Sequence, residues 1–407
     1  MLMIVTPITK PREVEGFVGI DLALMFLIAS RFIEVGPVQL PKGKVIGNRW
    51  KILKKLGEGG CGAVYKVQDI KNANFQAALK AESNFVAGGT VLKLEVQVLR
   101  RLSGLPHVPQ LIHSGKKEHY CYMVMTLLGD SLVALQRKVG RVSSISTQTR
   151  VGINVLFGIK QIHDIGFVHR DLKPANVAIG QPNTPDHRFL HILDFGLSRE
   201  YVVMGENNKL QMRRPRPRTL FRGTTRYCSV NTHNKGEQGR VDDLWSVLYM
   251  LAEMRDNLPW CNLRDKREIC ETKKKTDNKE LLRNSPIQLL KFANHLQTLN
   301  YYSHPDYSQL HQHLMDIMKT GNFKFTDPYD WEPKLPGDSK HSKEKPVTTS
   351  SKANKETWQG PLSAETPFTT TDEFSRLDKV GKKTLTAKAT DENPFPAQWF
   401  QTNPIGF

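Results

Sequence analysis

Residues 169–176 read His-Arg-Asp-Leu-Lys-Pro-Ala-Asn, and Asp194-Phe195-Gly196 begins eighteen residues after Asn176. Asp171 is a carboxylate that can orient a hydroxyl and take up its proton. Lys173, two residues on, can neutralise charge on a phosphoryl group in transit, while Asn176 and Asp194 offer oxygens to a divalent cation. His169 and Arg170 read as tethers of the loop. A general base at His169 is the weaker reading, because a protein hydroxyl needs orientation more than a strong base. Either motif alone says little, but in this order they are two walls of a phosphoryl-transfer site.

Such a site needs a lid over phosphates. Gly57-x-Gly59-x-x-Gly62-x-Val64 supplies glycines whose amides can approach phosphate oxygens closely. A dinucleotide-binding loop would require a helix directly after the glycines, and Ala63-Val-Tyr-Lys-Val67 reads as strand instead. Lys80 closes the next short strand. Glu95, on a helix fifteen residues further along, is its preferred partner for aiming an ammonium at phosphates; Glu82 is the competing one.

The elements that must position these groups follow from periodicity. Strands are expected at 50–56, 63–67, 77–80 and 119–127, with a helix from about Val91 to Leu102 whose pattern Pro106 and Pro109 break. Past Gly129 the chain turns helical. Val151, Val155, Ile159 and Ile162 mark a buried stripe on a helix ending at Gly166, and a second helix spans Val241–Met254. Short strands are expected at 177–179 and 190–193, with further helix over 262–298. No repeat of 20–50 residues is present.

The chain has 407 residues, 39% of them hydrophobic, and a net charge of +18. Residues 337–407 hold 10 Lys and Arg against 9 Asp and Glu, so nearly all of the excess lies in residues 1–336. A body that basic attracts anions, yet no zinc-finger spacing, aromatic RNA-binding strand or basic-plus-heptad run accompanies it, so no specific nucleic-acid partner is expected. Five cysteines without a C-x-x-C pair suit free thiols in a reducing compartment. Residues 16–33 are apolar but interrupted by Asp21 and Arg31, and their unbroken core is too short to span a bilayer. A segment packed on the domain is favoured over membrane association. The expected organisation is an extension at 1–48, a catalytic domain at 49–330 and a disordered Ser/Thr/Lys/Pro-rich tail at 331–407.

With these residues in place, the chain from about Arg49 to Asp330 resembles a eukaryotic protein kinase, and Lys173 resembles the serine/threonine class. Gly223-Thr-Thr-Arg-Tyr-Cys-Ser-Val-Asn-Thr-His233 stands where most kinases carry Ala-Pro-Glu, as in the casein kinase 1 group. Phe221-Arg-Gly-Thr-Thr-Arg-Tyr227, Gly239-Arg-Val-Asp-Asp-Leu-Trp-Ser-Val-Leu-Tyr-Met-Leu251 and Leu258-Pro-Trp260 are most similar to its tau-tubulin kinase branch. The resemblance implies an α+β, two-lobed fold with a β-rich small lobe carrying one main helix and a larger, mostly helical lobe. It implies ATP and Mg²⁺ as cofactors, transfer of the γ-phosphate to Ser/Thr of protein substrates, and a cytoplasmic, also nuclear, monomer.

By the same resemblance Gly57, Gly59, Gly62, Val64, Ala78, Lys80, Glu95, Met125 and Leu127 form the ATP site, with Met125 guarding its back and residues 126–128 as hinge. Asp171 and Lys173 are the catalytic pair, Asn176 and Asp194 the metal ligands, and Asp243 braces the catalytic loop. Arg213, Arg214, Arg216, Arg218, Arg222 and Arg226 crowd the activation segment, where the group recognises acidic or phosphorylated substrates. Arg226 is the expected anion contact, and a merely solvated loop is the alternative for the others. Cys61 at the tip of the glycine loop, Ala175 and Cys228 depart from the group without touching the chemistry. So does the 264–275 stretch, where Glu268 and Glu271 interrupt the basic run. A folded scaffold without turnover is the competing class; it is disfavoured because Lys80, Asp171, Asn176 and Asp194 are all retained.

Overall fold

In a computed structural model, the structure describes residues 37–59, 62–86, 89–140, 142–205, 209–332 and 388–407. The chain opens with β1 (Val45–Ile46), β2 (Trp50–Glu58), β3 (Gly62–Asp69) and β4 (Asn72–Ser83). Helix α1 (Leu92–Arg101) then precedes β5 (Leu111–Lys116) and β6 (Tyr120–Thr126). The six strands form one antiparallel sheet in the order β1-β2-β3-β4-β6-β5. Alternation along β3 sends Ala63, Tyr65 and Val67 into a core with Trp50, Ile52, Leu79 and Val124. The expected strands are present; β2, β3 and β4 run longer than their apolar runs, and β6 is shorter than the expected 119–127 by one residue at each end. Strand β5 escaped the sequence reading because Leu-Ile-His-Ser-Gly-Lys carries little alternation and lies at a sheet edge.

The larger lobe follows as α2 (Leu132–Val139), α3 (Ile145–Asp164), β7 (Phe167–Val168), β8 (Val177–Ile179) and β9 (Leu190–Ile192). The short strands β10 (Arg199–Glu200), β11 (Val202–Met204) and β12 (Leu210–Met212) come next. The remaining helices are α4 (Val230–His233), α5 (Arg240–Glu253), α6 (Lys266–Lys275), α7 (Asn278–Leu281), α8 (Gln288–Gln297), α9 (Tyr307–Thr320) and α10 (Gln398–Gln401). Ser144 caps α3 by accepting from the Thr147 amide at 3.1 Å, and Gly166, at φ +84°, turns the chain out of the helix toward β7. Helix α3 is buried on all sides from Thr147 to His163, so its apolar stripe at Val151, Val155, Ile159 and Ile162 is only part of its packing. The two-lobed fold expected from the resemblance is the fold observed.

Two boundaries differ from the sequence reading. Residues 37–48 are not merely an extension: Tyr65 donates its hydroxyl to Val38 O at 2.6 Å and accepts from the Leu40 amide at 3.1 Å, and Leu40 joins the sheet core. At the other end, residues 388–407 are not a solvated tail. Phe395, Trp399 and Phe400 enter the core of the larger lobe, because a segment with three large aromatics buries more apolar surface than its Ser/Thr/Lys-rich surroundings suggest. The apolar 16–33 segment and most of the 331–407 tail lie outside the described residues. No helix among the described residues is long and apolar enough to cross a membrane.

Tyr65→Phe keeps the ring and leaves the buried Leu40 amide without its acceptor. The expected loss is about 1–2 kcal/mol in denaturant unfolding; an unchanged midpoint would show that residues 37–40 do not hold the sheet.

Candidate functional site

Lys80 sits near the end of β4, with its ammonium 2.5 Å from Glu95 Oε1 on α1 and 3.2 Å from Asp194 Oδ1 in the larger lobe. Of the two carboxylates proposed for it, Glu95 is the partner. Glu82 approaches only to 3.8 Å and does other work: its Oε2 accepts from the Leu92 amide at 3.1 Å and the Thr90 hydroxyl at 2.7 Å, capping α1. The sequence offered no sign of that role, which needs β4 and α1 side by side. Burial by itself would lower the Lys80 pKa, but Glu95, Asp194 and Glu82 together raise it, so the ammonium stays charged. Burial pushes the Glu95 carboxyl up against the pull of Lys80.

The glycine lid lies between β2 and β3, where Gly57 pairs with Val64 and Gly59 N donates to Gly62 O at 2.9 Å. The glycines divide by role. A Cβ on Gly62 would fall 2.4 Å from Ala81 O, so this position is required by the close approach of β4. A Cβ on Gly57 or Gly59 would meet nothing within 4 Å, which leaves room above the strands for a ligand's phosphates. Sheet register sets Val64 opposite Lys80 and Ala78 opposite Met125, with Leu127 just beyond the end of β6. Cys61 lies outside the described residues.

The loop after β7 is hung from Asp243 on α5. Asp243 Oδ2 accepts from the His169 amide at 2.7 Å and Oδ1 from the Arg170 amide at 2.8 Å, while His163 Nε2 lies 3.0 Å from Oδ2. Burial would raise the Asp243 pKa, but His163 and these amides bring it below the usual carboxylate range. His169 accepts from the Asp171 amide at Nδ1 (3.2 Å), which leaves Nε2 to donate to Leu193 O at 3.0 Å. His169 is therefore spent on tethering, as expected. Its ring meets Phe195 edge-on at 5.6 Å, tying the two motifs together.

Asp171 is placed by its neighbours. Oδ2 accepts from Lys173 Nζ at 2.6 Å and Oδ1 from the Thr224 hydroxyl at 2.7 Å, with Lys173 also 3.1 Å from that hydroxyl. In the sequence Thr224 stands only as a member of the 223–233 motif, and its contact with Asp171 depends on a chain reversal. That reversal is made at Gly223 (φ +111°), where a Cβ would lie 2.5 Å from Arg170 O. Asn176 donates Nδ2 to Asp171 O at 3.0 Å, which leaves its carboxamide oxygen for a cation. One carboxylate (Asp194) and one neutral oxygen (Asn176) suit Mg²⁺ shared with phosphates rather than a protein cage, and the described residues contain no cluster of three His, Cys, Asp or Glu for such a cage.

Arg226, the expected anion contact, donates its Nε to Glu253 Oε1 at 2.5 Å and its Nη1 to Cys261 O at 3.1 Å, so its guanidinium is already engaged within the chain. Arg216 is likewise taken by Glu237 at 2.6 and 2.9 Å. Positive charge also gathers around a cavity of about 1000 Å³ lined by Arg218, Phe221, Lys235, Lys266, Arg267 and Lys274, the last of them paired with Glu271 at 2.8 Å. Among the described residues, Arg218, Lys235 and Arg267 have no carboxylate partner. Cys121, Cys228, Cys261 and Cys270 are free thiols, as expected of them.

Comparison with known proteins gives the same family. The protein kinase domain family matches residues 50–318. A Caenorhabditis elegans protein named "Putative serine/threonine-protein kinase" is 48% identical over 374 residues, covering 92% of this chain and 99% of its own. An "Inactive tau-tubulin kinase" of the same organism is 34% identical over 60% of this chain and 87% of its own. A casein kinase I homologue of Kluyveromyces lactis is 32% identical over 70% of this chain and 54% of its own.

Asp243→Asn keeps the shape but gives up the charge that His163 and two buried amides meet. We expect a loss of about 1–3 kcal/mol in unfolding free energy and faster amide exchange at His169 and Arg170. Wild-type exchange there would mean that the loop is held by something else.

Proposed function

The chain belongs to the protein kinase family, in its casein kinase 1 group, and on that basis we propose how its residues carry out ATP-dependent phosphorylation of serine and threonine in proteins. The observation that carries the proposal is the Lys80 ammonium joined at once to Glu95 and Asp194. This links the phosphate-binding arm of the small lobe to the metal-binding arm of the larger one.

Asp171 orients the acceptor hydroxyl and takes its proton as the new O–P bond forms and the bond to the β-phosphate oxygen breaks. The Thr224 hydroxyl already donating to Oδ1 supports this role, since it has the chemistry of an acceptor side chain. Lys173, 2.6 Å from Asp171, offsets the negative charge of the phosphoryl group in flight. Lys80, steadied by Glu95, would hold the α- and β-phosphates of ATP together with the amides of the Gly57–Gly62 lid, and Val64, Ala78, Met125 and Leu127 would line its adenine pocket. Asn176 and Asp194 would hold Mg²⁺, which when bound neutralises phosphate charge.

The finer reading is a preference for acidic or phosphorylated sites. With Arg226 committed to Glu253, the groups supporting it are Arg218, Lys235 and Arg267 beside the activation segment. A monomer in the cytoplasm, shared with the nucleus, completes the reading, and the four free thiols support a reducing compartment.

With labelled ATP, Mg²⁺ and casein, transfer by the wild type should fall at least about a hundredfold in Asp194→Asn and vanish with chelator. Equal, negligible labelling by both folded proteins would instead favour a scaffold without turnover. Arg218→Glu with Lys235→Glu should raise KM about five- to tenfold for an acidic peptide and leave a neutral peptide unchanged. Equal shifts for both peptides would remove the acidic preference.

A further inference from the structure

Residues 388–407 return to the back of the larger lobe through three aromatic anchors. Phe395 lies 5.5 Å from the rings of Phe157 and His107, Trp399 stacks on Phe157 at 5.0 Å, and Phe400 lies flat on His311 of α9 at 3.9 Å. Beyond the anchors, Thr402 accepts from Lys160 Nζ at 2.7 Å, meeting a proton of an ammonium buried on α3.

The last contacts reach the supports of the catalytic loop. Ile405 packs with Val168, Tyr201 and Val202 in a small cluster of its own. Val168 directly precedes His169. Tyr201 ties the end of α3 to the activation segment, donating its hydroxyl to His163 O at 2.8 Å and its amide to Gly166 O at 2.9 Å. The Phe407 carbonyl accepts from Arg240 Nη1 at 2.6 Å, and Arg240 opens α5 three residues before Asp243. Strand, helix and brace beneath Asp171 are thus each touched by one short segment.

We propose that residues 388–407 are a positioning strap. Phe395, Trp399 and Phe400 hold it to α3 and α9, and Ile405 and Phe407 press on the base of the catalytic loop, so that the rate of phosphoryl transfer depends on its docking. The inference rests on the kinase reading above. Positioning of this kind acts on turnover rather than on substrate affinity, since none of its residues touches ATP or acceptor.

The test uses the full chain. Ile405→Asp leaves the aromatic anchors in place and should lower kcat at least fivefold, with KM for ATP and casein within twofold and at least threefold faster amide exchange across residues 166–172. Trp399→Ala with Phe400→Ala should lower kcat as well, and a synthetic peptide of residues 388–407 added in trans should restore it at least threefold. Wild-type kcat in folded Ile405→Asp, or a change confined to KM, would overturn the strap. If the double variant fails to fold, Ile405→Asp decides alone. If the wild type itself transfers no phosphate, the kinase reading fails, and exchange at 166–172 still judges the strap: unchanged rates overturn it.

Discussion

A single buried carboxylate carries the catalytic loop. Asp243 meets two successive main-chain amides and a histidine, and removing it would leave all three buried groups without an acceptor. Leaving a buried polar group of this kind without its partner costs about 1–3 kcal/mol, more than an exposed ion pair contributes. The backbone it holds is not relaxed. Arg170 (φ +68°) and Asp194 (φ +66°) both occupy the left-handed region without being glycine, at about 1–3 kcal/mol each. The bonds from Asp243 and the His169–Leu193 contact over-determine these conformations, which is how a strained loop persists in one geometry.

The same logic runs outward from the loop. His163, which faces Asp243, meets the Tyr307 hydroxyl at 2.5 Å, and Tyr307 begins α9, so the brace is itself braced by a helix more than sixty residues further along the chain. Burial keeps the His163 imidazole neutral despite its carboxylate neighbour, which makes it a hydrogen-bonding strut rather than a counter-ion. Helix α3 joins these parts. It buries Arg150, whose Nη2 donates to Pro328 O at 2.9 Å, along with Lys160 and His163, and each of these polar groups is satisfied by a segment distant in sequence. A helix so placed can shift only if all of its partners shift with it.

Charge is organised by pairing as well. The arginines after Asp194 look equivalent in the sequence, yet Arg216 and Arg226 are drawn into carboxylates while Arg218 faces a basic cavity. Net charge predicts attraction to anions but does not say which guanidinium remains free to provide it.

Much of the site was legible in the sequence because its chemistry is local. The 169–176 and 194–196 motifs, the glycine spacing and the helical period around Glu95 name residue types that only a few reactions require together. Alternation and periodicity likewise marked β2, β3, β4, β6, α3 and α5, since burying one face imposes the pattern on each element separately. What only the tertiary structure decided are partners brought together by distant segments: Glu82 as a cap on α1, Thr224 against Asp171, Arg226 bound to Glu253, and residues 388–407 folded onto α3. Pairings of this kind leave no periodic trace, because a hydrogen bond or a stacked ring depends on where two chains meet in space and not on the residues that flank either one.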